Sequence, residues 1–189
     1  MEFSDLLINR RSIRRYTDKK VPLNIIEEII NDSILAPNAS NEQPWKFIIV
    51  NDMDMIKSIS DESKKNILKR ISDNPDDYAK KYEGVLKKES YNVFYNAPSL
   101  VLILGDSSKK NLMVDCALAA SYFMMSATSK GLGTCWVNFG LYIESPEMMT
   151  TLGIPEDNTI VAPLILGYPD QKPSIPKRKQ VEILKVIES

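Results

Sequence analysis

The order of helical and extended patterns along the chain predicts a β-sheet covered by helices on both faces. Two stretches carry that prediction. Ser99-Leu100-Val101-Leu102-Ile103-Leu104-Gly105 is a continuous apolar run, which suits a central strand buried on both sides. Residues 110–130 hold the longest helical pattern and are apolar almost all round, as in a helix buried on more than one side. The chain has 189 residues, enough for one core that buries well over half of the unfolded surface, so a single domain over 1–189 is expected.

Taken in order, Ser4 is placed to cap a short helix with Phe3, Leu6 and Leu7 on one face. It ends near Arg10-Arg11-Ser12-Ile13-Arg14-Arg15-Tyr16, from which Thr17-Asp18 suggest an extended or turning exit. Val21-Pro22 opens a second helix, with Ile25, Ile26, Ile29, Ile30 and Ile34 at helical spacing and a stop near Ala36-Pro37. After a polar loop over 38–44, the run from Trp45 to Val50 reads as a strand and 53–71 as a helix, broken by Ser72-Asp73-Asn74-Pro75. Residues 77–96 are charged and rich in tyrosine, consistent with a helical excursion covering a pocket or with ordinary helix packing. Past the long helix, Gly131 and Gly133 mark its end, 134–139 reads as a strand, 146–152 as a short helix and 159–167 as a further strand. Pro163 within that last strand calls for an edge, a bulge or an end. The prolines at 169, 173 and 176 make the following tail extended, and Val181, Ile183, Leu184, Val186 and Ile187 are too apolar for a tail that packs on nothing.

Composition narrows the chemistry. The formal net charge is -1, so the molecule as a whole does not attract polyanions, and lysines 64–88 alternate with acids as on a solvated face. Histidine is absent, which removes the usual centre of Ser-His-Asp hydrolases, His-ligated zinc sites and imidazole relays. An enzyme so built needs a cofactor for the difficult chemistry. Cys116 and Cys135 have no metal-ligand spacing and lie in apolar runs, as buried reduced thiols in a cytoplasmic protein would. No export signal is visible at the N-terminus, and the longest uncharged stretch, 116–129, is short of the roughly 20 residues of a membrane span. Neither a dinucleotide-binding glycine fingerprint after a strand nor a P-loop is present.

Four arginines within six residues, beside a serine, suit a compact anion, because guanidinium forks match phosphate bidentately. A solvated basic face or a weak nucleic-acid patch is the alternative reading. The loop Asn38 to Pro44 is a second candidate site, or else a plain connector. Lys177-Arg178-Lys179 either stays in solvent or returns to the N-terminal arginines and adds to the same anion site.

Four blocks together give the chain its resemblance to the FMN-dependent nitroreductase family. They are Arg10 to Arg14; Pro37-Asn38-Ala39-Ser40-Asn41-Glu42-Gln43-Pro44-Trp45; Gly131-Leu132-Gly133-Thr134-Cys135-Trp136; and Gly167-Tyr168-Pro169 with Pro176-Lys177-Arg178-Lys179. The resemblance implies an α+β fold with a central, mainly antiparallel sheet flanked by helices. It also implies a homodimer with FMN at the interface and a C-terminal arm packing on the partner subunit. On that pattern Arg10, Arg11, Ser12 and Arg14 approach FMN, and Arg178 with Lys177 completes the phosphate site. Pro37, Asn38, Ala39 and Asn41 come from the partner, and Asn138 and Phe139 pass beneath the flavin. Arg14 is expected to stabilise the charge of the reduced flavin; no side-chain acid or base is then required. The activity implied is electron transfer from NAD(P)H, by a ping-pong route, to nitroaromatics, quinones or similar small-molecule acceptors, without nucleic-acid or membrane partners. Flavin enzymes of the same fold that dehalogenate or dehydrogenate, and a non-enzymatic FMN-binding sensor, are the alternatives.

Overall fold

Strand β2 (Ser99–Asp106) is buried from Ser99 to Gly105 because it lies inside a four-stranded sheet, between β1 (Lys46–Val50) and β4 (Asn158–Gly167). The computed structural model describes residues 2–188. The short β3 (Gly133–Trp136) completes the order β1-β2-β4-β3, and each pairing is antiparallel. Side chains alternate along β2. Val101 and Ile103 join a core with α2 (Leu23–Ser33) and α5 (Leu112–Ser129), whereas Leu100, Leu102 and Leu104 join one with α3 (Met53–Asp73) and α4 (Glu83–Leu86). This is the α+β arrangement expected, with apolar side chains on both faces of the sheet meeting a helical layer. Helix α1 (Phe3–Asn9) packs on α5, and α6 (Pro146–Leu152) sets Met148, Met149 and Leu152 against the second core.

Pro163 is tolerated in a central strand for two reasons. Ile103 pairs with Ala162 and Leu104 with Ile160, so Val161 is an extra residue and the strand bulges there. The carbonyl of Pro163 accepts from the Val137 N–H at 2.9 Å, and its nitrogen faces the same way, just past the last β3 pair, Trp136–Leu164. No ladder donor is therefore required of it. The same geometry ends β3 at Trp136, three residues before the expected end, and Asn138–Leu141 becomes a 3-10 turn.

The arginine segment continues the sheet beyond β3. Ile13 N–H donates to the Thr134 carbonyl at 2.9 Å, Thr17 N–H to Tyr168 at 3.0 Å, and Asp170 N–H to Arg15 at 3.1 Å. A Cβ on Gly133 would lie 2.5 Å from Ile13 Cγ1, so this glycine is what lets the buried Ile13 seat against β3. Tyr16 is held likewise, its hydroxyl donating to the Ile13 carbonyl at 2.7 Å. Burial pushes that phenol far above its ordinary range, and it stays a donor.

Some expectations change. Ser4 does not cap α1; Glu2 occupies the N-cap with no side-chain hydrogen bond, and no α1 residue among those described is buried. Residues 77–96 are not one helix but a 3-10 turn (Tyr78–Tyr82), the single turn α4 and a run of turns that includes Tyr95 and Asn96 at φ 56° and 54°. Helix α5 is long and apolar enough to cross a bilayer by length and composition, yet it packs Cys116, Ala119, Ala120, Phe123 and Ala127 into the core. Over residues 171–188 the chain has no regular structure, and Val181, Ile183, Leu184, Val186 and Ile187 are exposed.

Replacing Gly133 with alanine forces Ile13 off its seat. The expected loss is about 1–3 kcal/mol of stability, as for other overpacked core sites, read as a lower urea midpoint with an unchanged slope. An unchanged midpoint would show that Ile13 has room to move.

Candidate functional site

The extended backbone of residues 10–16 sets out the arginines along the sheet edge. Ile13 and Arg11 turn inward, at 3% and 8% exposure, while Arg14 and Arg15 are left outside. The chain returning from β4 runs beside them, and this brings opposite ends of the sequence together. A cavity of about 380 Å³ is lined by Arg10, Arg11, Ser12 and Arg14 from one end and by Pro173, Ser174, Pro176 and Arg178 from the other. No carboxylate among the described residues lines it. Arg11 donates to the Ile8 carbonyl, but its Nε is buried without a partner among the described residues. A buried guanidinium that lacks a counter-charge is costly, so the cavity is built for an anion.

A second cavity, of about 260 Å³, meets the first at Arg14. Its walls are Tyr78, Tyr82, Tyr91 and Tyr95 from the excursion and Cys135 to Phe139 from β3 and the turn after it. The Arg14 guanidinium lies over the Tyr95 ring at 5.7 Å, and Tyr82 meets Phe139 edge to face at 5.4 Å. These tyrosines lie in the excursion whose sequence allowed either a pocket cover or plain helix packing. Only their number within eighteen residues pointed to the pocket. Cys135 offers no nucleophile, because burial raises its thiol despite opposing pulls from Arg14 and Ser12.

The excursion is tied to α3. Asp77 is buried, accepts from the Ala79 N–H at 2.8 Å, and pairs with Arg70 Nε at 2.5 Å. The backbone hydrogen bond first, and Arg70 second, hold the Asp77 carboxyl below its usual range.

Of the residues singled out in the sequence, Arg10, Arg11, Ser12, Arg14 and Arg178 share the arginine-lined cavity, and Arg14, Asn138 and Phe139 share the aromatic one. Asn138 and Phe139 sit in a turn rather than the strand expected. Lys177 is exposed and lines neither cavity. Pro37, Asn38, Ala39 and Asn41 also line neither; their loop is fastened to α5, where Asp115 accepts from the Ala39 N–H at 3.1 Å. Ser40, Asn41 and Gln43 have φ of 52°, 54° and 47°, a left-handed backbone that only asparagine among them adopts readily. Asn38 holds this shape by accepting from the Gln43 N–H.

The architecture is an antiparallel sheet covered by helices on both faces, with an arginine-lined cavity at its edge that shares Arg14 with an aromatic one. Residues 7–168 match the family model of the nitroreductase family, and the chain belongs to that family. A protein of Archaeoglobus fulgidus provisionally named NADH dehydrogenase/NAD(P)H nitroreductase is 30% identical over 88% of this chain and 86% of its own length. Iodotyrosine deiodinase 1 of Sus scrofa is 28% identical over 93% of this chain and 64% of its own length. Among solved structures, a nitroreductase with bound FMN from Bacteroides fragilis superimposes with TM-score 0.80 at 25% identity, covering 100% of this chain and 99% of that one.

Replacing Asp77 with asparagine should loosen the excursion. A group whose carboxyl is depressed on folding adds stability above its unfolded value, about 3.9, and loses it as the pH falls toward the folded one. The gap in urea midpoint between wild type and Asp77→Asn is therefore full at neutral pH and closes in acid below the ordinary carboxylate range. A gap that does not change with pH would remove Asp77 as the anchor.

Proposed function

We propose that the chain is a single FMN-binding domain and an FMN-dependent oxidoreductase. It takes electrons from NAD(P)H and passes them to nitroaromatic, quinone or similarly electron-poor acceptors in alternate half-reactions. The observation that carries this reading is the acid-free cavity in which Arg10 and Arg178, 168 positions apart, meet beside the unpartnered Arg11 Nε. A phosphate monoester supplies the missing counter-charge. The FMN-bound nitroreductase that shares the fold, and the nitroreductase name of the archaeal relative, support the cofactor and the donor.

In this reading Arg10, Arg11 and Arg178 hold the phosphate, Ser12 supplies a hydroxyl to it or to the ribityl chain, and Lys177 adds charge from outside. When bound, the flavin supplies the two-electron chemistry. Arg14, at the junction of the two cavities, is placed to favour negative charge on the pyrimidine edge. The Asn138-Phe139 backbone forms the floor and the tyrosines exclude water from the far side. None of these residues moves a proton, in keeping with a chain that has no histidine and whose Cys135 thiol stays protonated.

The working form in this reading is a homodimer. Met113, Val114, Leu118 and Tyr122 are exposed on α5, and α1, which also packs on α5, leaves Phe3, Leu7 and Ile8 exposed beside them. A continuous apolar surface of this kind marks an interface. The loop with Pro37, Asn38, Ala39 and Asn41 starts from the same end of α5, so a partner docked there brings this loop to the neighbouring flavin, and the apolar end of the arm covers the partner. With two free, buried cysteines, the protein suits the reducing cytoplasm. The kinship with iodotyrosine deiodinase supports a second reading in which the acceptor is a haloaromatic.

The purified protein is expected to be yellow, to bleach when NAD(P)H is added without oxygen, and to regain its colour with a nitroarene or quinone. Flavin that binds but is not bleached would leave a binding protein; a haloaromatic that alone restores the colour would select the second reading.

A further inference from the structure

Phe139 stands where the floor of the aromatic cavity meets its roof. Its ring and the Tyr82 ring are 5.4 Å apart with an interplanar angle of 85°, the edge-to-face contact of an attractive aromatic pair. The two sides of this contact differ in freedom. The turn that carries Phe139 is wedged into the core: a Cβ on the next residue, Gly140, would lie 2.7 Å from Pro163 and 2.8 Å from Phe94, so the turn cannot sink away. Tyr82 belongs to the excursion, is 40% exposed, and has the Lys81 ammonium 5.0 Å from its ring centre. The cavity that the pair bounds holds about 260 Å³, below the roughly 300–1,000 Å³ of pockets that enclose a whole drug-sized ligand.

We propose that Phe139 and Tyr82 form a size filter that admits a single-ring aromatic acceptor and rejects a fused-ring one, with Phe139 as the fixed jaw and Tyr82 as the movable one. The proposal rests on the reading of this cavity as the flavin ring site: with the ring in place, the acceptor enters past the pair from the open side, where Tyr82 is exposed. Six of the ten lining residues are aromatic, Cys135 and Val137 add apolar surface, and Arg14 and Asn138 are the polar ones, so the ligand class is a planar ring with a polar or anionic substituent. Residues outside this contact set how tightly both probes bind; only the pair sets the difference between them.

The test is calorimetric titration of the FMN-loaded protein with two inert probes, benzoate and 2-naphthoate. Wild type is expected to prefer benzoate. Phe139→Ala and Tyr82→Ala should each shift the ratio of dissociation constants toward naphthoate by about tenfold or more, the scale on which apolar pockets discriminate by size, and Phe139→Trp should shift it the other way. The two alanine changes should not add, because either one opens the same contact. Flavin-loaded variants whose ratio stays within about threefold of wild type would overturn the filter and leave the flavin site standing. A protein that takes up no FMN, seen directly as missing flavin absorbance, would overturn both.

Discussion

The structure depends on one close approach, Ile13 against Gly133. The hydrogen bond from Ile13 N–H to Thr134 bridges the segment to β3, and the missing Cβ at Gly133 lets the Ile13 side chain reach the core. Once that seat is taken, alternation along an extended chain decides what its neighbours do: Arg11 is turned inward, and Arg14 is put at the meeting point of the two cavities. The return of the chain past Tyr168 to Asp170, bonded to Thr17 and Arg15, then carries the C-terminal Arg178 to the same cavity. The charge of the site is thus produced by strand pairing and not by the overall balance, which is -1.

The parts of the fold with strong periodicity were legible in the sequence. β2 is buried on both faces, and its unbroken apolar run said so; α5 is apolar almost all round, yet only one part of it meets the sheet and α2, and Met113, Val114, Leu118 and Tyr122 carry the apolar pattern to the surface. The end of β3 was not legible. Trp136-Val137-Asn138-Phe139 keeps a strand-like composition, and what stops the ladder is Pro163, a residue from another strand that has no N–H to give. The excursion was half legible: its tyrosines suggested a wall, but its turns depend on the Asp77–Arg70 anchor to α3, a contact between elements that no single stretch announces.

The site was legible to a similar degree. Clustered arginines at 10–14 and 178 announced an anion and do share a cavity, whereas Pro37, Asn38, Ala39 and Asn41 lie outside both cavities of their own chain. In the proposed dimer their contribution comes from a second copy of the chain, which also covers the apolar arm and the α5 stripe. Sequence patterns state that such surfaces must be covered; they do not state by what.

The claim that guanidinium groups from both ends of the chain hold one phosphate is tested most directly by titrating the flavin-free protein with FMN and with riboflavin, followed by flavin fluorescence. FMN should bind more tightly by about 100-fold, the value of one or two charge-assisted hydrogen bonds, and Arg10→Ala or Arg178→Ala should each remove most of that advantage. Equal affinity for FMN and riboflavin in the unaltered protein would contradict the account.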